Sequence, residues 1–249
     1  MKIKSIIAVV PARLGSQRVK LKSLRLLNKK PLIEYILTTL KNTRHLKDIY
    51  INSDSELFEE IARSNNVKFY HRKKELATSE SLIDEYLYDF MKKIPSDYLA
   101  VVNPTSPFIC SDDLDKAVDF FFDNNFDTLL SAEKIQTHCF IKGNPINFSI
   151  EAKHPRSQDI EPILALNFAI SIWNCNKFIE SYEKNGFGVY SGKIGFFITE
   201  GRASIDIDYE EDFVLAEFVA RFYESNLKYQ VEYSDVAKHL IENNIEIQN

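Results

Sequence analysis

Four cationic side chains lie within ten residues of one another near the start of the chain. They are Arg13, Arg18, Lys20 and Lys22. Gly15 and Ser16 stand between them, and an apolar, β-branched run at residues 3–10 comes before them. Backbone N–H groups around a glycine can cradle an anion, and several cations can neutralise a polyphosphate. The stretch therefore predicts either a polyphosphate site or a solvated basic loop.

Two carboxylates stand two residues apart in the sequence Ser204-Ile205-Asp206-Ile207-Asp208. On a strand, this spacing puts both side chains on one face, about 6–7 Å apart. Mg²⁺ favours one or two carboxylates together with water and substrate phosphates. Acidic residues also favour helix N-termini, which is the role expected of the following acids at 210–212. From their spacing, Asp206 and Asp208 fit a metal site and a helix cap equally well.

A third stretch with chemical potential is Asn103-Pro104-Thr105-Ser106-Pro107. The two prolines restrict the backbone, and the segment follows a predicted strand, so Thr105 and Ser106 would be presented at the end of that strand. The alternative is a rigid turn without a ligand.

Apolar periodicity predicts the elements that position these stretches. Strands are expected at residues 3–10, 49–52, 67–70, 98–102, 127–131, 168–173 and 194–199. Helices are expected to begin at Pro31, to span 56–64 after a cap by Ser53 or Asp54, to span 81–92, to run from Asp112 or Asp113 through Phe122, and to span 210–225 and 236–244. This alternation indicates a mainly parallel sheet covered on both faces. Such sheets bind ligands outside the carboxyl ends of their strands, where the first and third stretches begin.

Residues 133–165 interrupt the alternation. They contain short β signals at 138–142 and 148–151 and a turn at Gly143-Asn144-Pro145. We interpret the chain as one domain, 1–249, in which 133–165 form an inserted β-hairpin region that acts as a lid or a dimer arm.

Composition excludes several classes of protein. Only 7 of the 249 residues are Gly, and neither G-x-G-x-x-G nor a Walker P-loop occurs. The net charge of −5 argues against nucleic acid as a partner. The three cysteines at 110, 139 and 175 form no zinc pattern, which favours a reducing cytoplasm. We expect no signal peptide, and the longest apolar stretch, 162–173, is too short to span a membrane.

Seven segments, in order along the chain, resemble the cytidylyltransferase family of CMP-sialic acid and CMP-Kdo synthetases. They are residues 10–23, 29–33, 51–54, 72–77, 103–107, 156–159 with 167–170, and 204–212. They are similar to the family's (I/V)-P-A-R-x-G-S-K-R-x-x-x-K-N, G-K-P-L-I, V-S-T-D, R-P-x-E-L-A, Q-P-T-S-P, R-R-Q-D with N-G-A-I-Y, and S-I-D-I-D-x-x-x-D. The resemblance implies a Rossmann-like three-layer α/β/α nucleotidyltransferase fold. It also implies CTP and Mg²⁺, release of pyrophosphate, and a homodimer in which the insertion reaches the partner's site.

The resemblance also implies roles for individual residues. The nucleotide would be bound by Ala12, Arg13, Gly15, Ser16, Arg18, Lys22, Thr78 and Ser79. The acceptor would be bound by Asn103, Thr105, Ser106, Arg156, Gln158 and Asn167. Asp206 and Asp208 would bind the metal, and Arg13, Lys22 and Asp208 would be the catalytic residues.

Departures from the family pattern lie at the nucleotide edge and in the acceptor pocket. Gln17, Lys20 and Ser23 replace Lys, Pro and Asn, Asn103 replaces Gln, Phe168 replaces Gly, and Ala165 stands where the sialic branch has Arg. The function expected is transfer of CMP to an acidic, sialic-like nonulosonate for surface-glycan biosynthesis. The alternatives are a phosphate- or phosphonate-bearing acceptor, a sugar-1-phosphate nucleotidyltransferase with another donor, and an inactive CTP-binding protein. We expect no nucleic-acid or membrane partner.

Overall fold

The computed structural model describes residues 6–225 and 230–242, in which strands and helices alternate as the sequence predicts. The strands are β1 (Ile6–Pro11), β2 (Leu26–Leu27), β3 (Lys30–Pro31), β4 (Leu46–Ser53), β5 (Lys68–His71), β6 (Tyr98–Val102), β7 (Thr128–Ile135), β8 (Phe140–Ile141), β9 (Asn144–Pro145), β10 (Ile163–Asn174) and β11 (Ile194–Ile198). The helices are α1 (Leu32–Lys41), α2 (Glu56–Ser64), α3 (Ile83–Lys93), α4 (Ser111–Asp123), α5 (Cys175–Asn185), α6 (Glu210–Glu224) and α7 (Asp235–Glu242). Short 3₁₀ helices lie at Lys22–Leu24, Lys74–Leu76, Ser157–Asp159 and Gly201–Ser204.

The central sheet has the strand order β11-β7-β10-β6-β1-β4-β5. β1 pairs in parallel with β4 and β6, β4 with β5, and β11 with β7. β10 is antiparallel to both of its neighbours, β6 and β7. The prediction of a mainly parallel, Rossmann-like α/β sheet is confirmed. The direction of β10 was not evident in advance because a fully buried strand has the same apolar pattern in either direction.

Two apolar clusters cover the two faces of this sheet, and β1 contributes to both. Ile6, Ala8 and Val10 pack with α1, α2 and α4 on one face. Ile7 and Val9 pack with α3 and α5 on the other. Because successive side chains of a strand point to opposite faces, the unbroken apolar run of β1 reflects burial on both sides. The sheet therefore presents its loops, rather than its faces, to ligands.

At two helices, α2 and α4, the capping in the structure differs from the prediction. The predicted cap of α2 by Ser53 or Asp54 is wrong, since the Ser55 hydroxyl accepts the N–H of Leu57 at 3.3 Å. Ser53 is instead the buried last residue of β4. At the start of α4, the Asp113 carboxylate accepts the N–H of Cys110 at 2.9 Å, so this acid supports the helix from inside its first turn.

The inserted region begins and ends in the central sheet. β7 and β10 pair as far as Ile135 and Ile163, so both ends of the predicted segment 133–165 lie in these strands. Between them, β8 and β9 form a small hairpin. The predicted β segment at 148–151 is wrong: the Phe148 ring instead lies 4.8 Å from the ring of His138, edge to face, in a loop. We call residues 136–162 the arm.

Several elements were not predicted. α5 lacked a prediction although Asn174 caps it and Gly186, with φ of 82°, ends it. The hairpin of β2 and β3 was also missed. The predicted strand at 3–10 and helix at 236–244 extend over residues 3–5 and 243–244, which lie outside the described residues. The described residues of these two segments form β1 and α7. Within the described part of the chain, no helix is long and apolar enough to cross a bilayer.

Candidate active site

A cavity of about 520 Å³ opens at the carboxyl edge of the parallel strands. Its walls come from the loop after β1, the loop between β5 and α3, the start of the loop after β6, and Asp208 before α6. Ten predicted site residues line it: Ala12, Arg13, Ser16, Arg18, Lys22, Thr78, Ser79, Asn103, Thr105 and Asp208. Residues up to 196 positions apart in sequence thus meet where open α/β sheets bind ligands.

The loop after β1 is held across the cavity by Arg13. Arg13 Nη1 donates to the carbonyl oxygen of Thr78 at 2.6 Å, which joins this loop to the turn at 78–81. In that turn, the hydroxyls of Thr78 and Ser81 lie 2.9 Å apart. Gly15 is exposed outside the cavity lining. The loop therefore places cations and hydroxyls, rather than a run of glycines, along one wall.

Asp208 lies between two of the predicted phosphate-binding cations. Its Oδ1 atom accepts from Arg18 Nη2 at 2.9 Å and from Lys22 Nζ at 3.2 Å. Lys22 is buried and also donates to the Ile207 carbonyl oxygen. Arg18 is half exposed, with its Cζ 5.0 Å from the centre of the Tyr209 ring. Hydrogen bonding with Tyr209 and the charge of Asp208 raise the pKa of Arg18, so this guanidinium stays charged.

Asp206 lies deeper, against the loop after β6. Ser106 Oγ donates to its Oδ1 at 3.3 Å, and the Ile207 N–H donates to the Thr105 carbonyl oxygen at 2.8 Å. Burial raises the pKa of Asp206, with a further increase from Asp208, while the hydrogen bond from Thr105 opposes it. Residues 205–208 do not form a strand, so the prediction that a strand aligns the two carboxylates is wrong. A segment without regular secondary structure instead leaves both half-buried and buries Ile207 between them.

The acids after this pair have the role that was predicted for them. The Asp212 carboxylate accepts the N–H of Asp208 at 2.9 Å and that of Tyr209 at 2.8 Å. It thereby satisfies two backbone donors at the start of α6. Asp208 and Asp206 are free of this capping role.

The residues present fit a magnesium ion. Asp206 and Asp208 supply two carboxylates next to the hydroxyl of Ser106 and the cations that would bind phosphate. The described residues contain no cluster of three or more His, Cys, Asp or Glu side chains that could enclose a metal. An open site with one or two carboxylates, completed by substrate phosphates, is what Mg²⁺ favours.

The inner wall of the cavity contains two residues that were not predicted as site residues, Arg72 and Tyr86. Arg72 is buried, with Nε 2.8 Å from Asn52 Oδ1 and Nη2 2.8 Å from the Asn52 carbonyl oxygen. Its Cζ lies 4.2 Å from the centre of the Tyr86 ring. Burial lowers the pKa of Arg72 and raises that of Tyr86. For Arg72, the available signal was its place at the start of segment 72–77, which resembles the family's R-P-x-E-L-A.

The predicted acceptor residues divide into two groups. Asn103 and Thr105 line the cavity, and Asn103 Nδ2 donates to the Phe168 carbonyl oxygen at 2.7 Å. Asn167 does not line the cavity: its side chain accepts from Ser131 Oγ at 2.6 Å and donates to Thr199 Oγ1 at 2.7 Å. Those bonds join β7, β10 and the end of β11 beside an irregularity in β10.

Arg156 and Gln158 lie in the arm, exposed and outside the cavity lining. Arg156 forms two bonds to Asp159, at 2.7 and 3.1 Å, within the 3₁₀ helix at Ser157–Asp159 and the residue before it. The structure therefore does not bring these two residues to the cavity of their own chain.

Comparison with known proteins agrees with this geometry. A sequence model described as cytidylyltransferase matches residues 7–158, which is more than half of the chain. The chain belongs to the cytidylyltransferase family. The matched region includes the basic loop, the turn at 78–81 and the loop after β6, but ends before Asp206.

Curated relatives and a solved structure are similar over most of the chain. The N-acylneuraminate cytidylyltransferase of Escherichia coli O18:K1:H7 is 30% identical over 229 residues, covering 85% of this chain and 51% of that protein. The CMP-N,N'-diacetyllegionaminic acid synthase of Legionella pneumophila is 26% identical over 235 residues, covering 85% and 94%. The chain spans about half the length of the first curated relatives that it matches, at 51%. A CMP:2-keto-3-deoxy-manno-octonic acid synthetase complexed with CTP shares the fold, with a TM-score of 0.66 at 13% identity over 88% of this chain and 100% of the other.

Proposed function

We propose that this cytidylyltransferase transfers CMP from CTP to an acidic sugar of the nonulosonate type and releases pyrophosphate. The observation that carries the proposal is the convergence of Arg13, Arg18 and Lys22 with Asp208 in a cavity at the ligand edge of the sheet. Cations on one wall suit a triphosphate, and the carboxylates suit the metal that accompanies it. The names of the relatives, which refer to acylneuraminate and diacetyllegionaminic acid, support an acidic sugar as acceptor.

The chain's own residues would act mainly by positioning and charge, as is common in phosphoryl transfer. The acceptor hydroxyl oxygen attacks the α-phosphorus of CTP, the bond to the oxygen that bridges to the β-phosphate breaks, and pyrophosphate leaves. Arg13 and Lys22 stabilise the negative charge of this leaving group. When bound at Asp206 and Asp208, Mg²⁺ supplies Lewis-acid chemistry that lowers the pKa of the acceptor hydroxyl. No histidine of the described residues lines the cavity, so no imidazole is placed to take the hydroxyl proton.

The inner wall of the cavity supports one orientation of the bound nucleotide. With phosphates beside Arg13, Arg18 and Lys22, the base would extend toward Tyr86 and the turn at 78–81, which also line the cavity. Asn103 and Thr105 lie on the neighbouring loop and would contact the acceptor.

The arm supports a homodimer. Four of its apolar side chains are more than half exposed: Phe140, Ile141, Ile146 and Ile150. A patch of this kind indicates a protein interface. In such a dimer, Arg156 and Gln158 of one protomer would reach the partner's acceptor site. The three cysteines are free, which supports a reducing cytoplasm as the location.

Phosphorus NMR tests the proposed function. CTP, Mg²⁺ and the protein are incubated with a panel of acceptors: a sialic acid, a legionaminic acid, a 3-deoxy-octulosonate, a sugar phosphate and a phosphonate. We expect pyrophosphate and a new phosphodiester signal with a nonulosonate. A signal with only the phosphate or phosphonate would change the acceptor class, and thermal stabilisation by CTP without turnover would indicate an inactive nucleotide-binding protein.

A further inference from the structure

One carboxylate oxygen in the cavity is shared by two cations. Asp208 Oδ1 accepts from both Arg18 and Lys22, at 2.9 and 3.2 Å. The proposed function assigns these cations to the triphosphate and Asp208 to the metal. In this arrangement, however, the groups that would bind the two ligands neutralise each other.

We propose that Arg18 is an exchangeable counter-ion of Asp208, so that a divalent cation binds the carboxylates strongly only after the triphosphate has drawn Arg18 away. This inference rests on the proposed function and adds an order of binding to it. Without nucleotide, an arriving cation meets two carboxylates whose charge is offset by Arg18 and Lys22. A triphosphate supplies competing negative charge for these cations and leaves Asp208 available.

The two cations differ in how firmly they are held. The Lys22 side chain is 10% exposed and also donates to the Ile207 carbonyl oxygen. The Arg18 side chain is 52% exposed, and its contacts are with Asp208 and the Tyr209 ring, which belong to one short surface segment. An ion pair between exposed side chains contributes little free energy, so moving Arg18 from Asp208 to a phosphate costs little. Lys22 would stay in place and contact both Asp208 and the triphosphate.

The coupling between the two ligands must be reciprocal. If the nucleotide raises the affinity for the metal, the metal raises the affinity for the nucleotide by the same factor. Couplings of this kind typically change affinity about 5- to 150-fold. Removing the Arg18 charge should therefore raise the metal affinity of the nucleotide-free protein, which no purely structural role of Arg18 would do.

The test is a calorimetric titration of the full chain with Mn²⁺ in the absence of nucleotide. We expect Arg18→Gln to bind Mn²⁺ about fivefold more tightly than the wild type. The matched control is Arg25→Gln, since Arg25 also pairs with a carboxylate, Glu210, and lies over an aromatic ring, Phe213, at 4.2 Å. Arg25 does not line the cavity, so its variant should bind Mn²⁺ as the wild type does.

A second variant establishes where the metal binds. In Arg18→Gln with Asp208→Asn, the gain in Mn²⁺ affinity should disappear. The proposal is overturned if Arg18→Gln binds Mn²⁺ no more tightly than the wild type, or if the gain survives in the double variant. Failure of the proposed function has a different signature, because the wild-type protein with CTP and Mg²⁺ would then release no pyrophosphate with any acceptor of the panel, whatever the Mn²⁺ titrations show.

Discussion

The cavity and the arm both contain predicted site residues, and they differ in what holds those residues in place. In the cavity, contacts join residues that are distant in sequence: Arg13 and Thr78 are 65 positions apart, and Arg18 and Asp208 are 190 apart. In the arm, Arg156 bonds to Asp159, three positions away. The fold of one chain thus builds the cavity, whereas Arg156 and Gln158 of that chain lie outside its lining.

This contrast separates the two halves of the proposed reaction. Binding of CTP and of the metal should be complete within one protomer, because Arg13, Lys22 and Asp208 meet in its own cavity. Recognition of the acceptor should depend on assembly, because Arg156 and Gln158 are exposed away from that cavity. The following predictions test each half.

The largest effect is expected at the carboxylate pair. Asp208→Asn keeps the size of the side chain but removes the charge, and should lower kcat by about 10²–10³-fold, since loss of one transition-state charge contact costs about 3–4 kcal/mol. Release of pyrophosphate from CTP is the measurement. Glu211→Gln, an exposed acid on the first turn of α6, is the control and should retain wild-type turnover. Unchanged turnover in Asp208→Asn would remove the metal assignment.

The buried arginine should affect both stability and nucleotide binding. Arg72→Lys cannot reproduce the paired bonds to Asn52 and leaves a buried acceptor unpaired, which costs about 1–3 kcal/mol of unfolding free energy. Urea denaturation measures this loss, and CTP titration should show weaker binding. Arg63→Lys alters an exposed pair with Glu59 at 3.9 Å, and should change stability by less than about 0.5 kcal/mol. Equal effects of the two substitutions would contradict the role given to Arg72.

In the arm, Arg156→Ala should leave the affinity for CTP unchanged and lower kcat/KM for the acceptor about tenfold, equivalent to about 1.4 kcal/mol. The exposed position predicts little change in stability. Steady-state kinetics with varied acceptor measures kcat/KM, and a calorimetric titration with CTP measures the affinity for the nucleotide. Arg202→Ala is a control on another exposed surface. A loss of CTP affinity in Arg156→Ala would show that the arm also builds the nucleotide end.

The smallest effect concerns the backbone of Phe168, whose φ is +52°. This left-handed conformation suits glycine and disfavours residues with a Cβ by about 1–2 kcal/mol. The family pattern given above has glycine at this position. Phe168→Gly should therefore be more stable than Phe168→Ala by about 1 kcal/mol in urea denaturation, since both lose the ring. At Leu164 of the same strand, which serves as the control, Leu164→Ala should be more stable than Leu164→Gly. The same order at both positions would argue against backbone strain at Phe168.

Local patterns predicted much of the fold. The bounds of α2 and β6 agree with the prediction because each is a short periodic segment between clear boundaries. The direction of β10, the left-handed Phe168 and the network around Asn167 have no local signature. They arise where β7, β10 and the end of β11 meet, and bulky residues rarely adopt a positive φ.

Part of the candidate site was also predicted from the sequence. Ordered motifs identified seven polar residues that line the cavity: Arg13, Arg18, Lys22, Thr78, Ser79, Asn103 and Thr105. Arg72 and Tyr86 are 14 positions apart and meet only because α3 packs against the end of β5. No spacing rule connects such a pair. The sharing of Asp208 between Arg18 and Lys22 was equally hidden, since either cation alone fits a phosphate ligand.

If the cations of the loop after β1 hold a triphosphate, as we propose, the wild-type protein should bind CTP far more tightly than CMP. Calorimetric titration with each nucleotide in the presence of Mg²⁺ is the measurement. Hydrogen bonds between charged groups contribute about 1.5–3 kcal/mol each, so the β- and γ-phosphates should make CTP bind at least about 100-fold more tightly than CMP. Equal affinities for CTP and CMP would contradict the account.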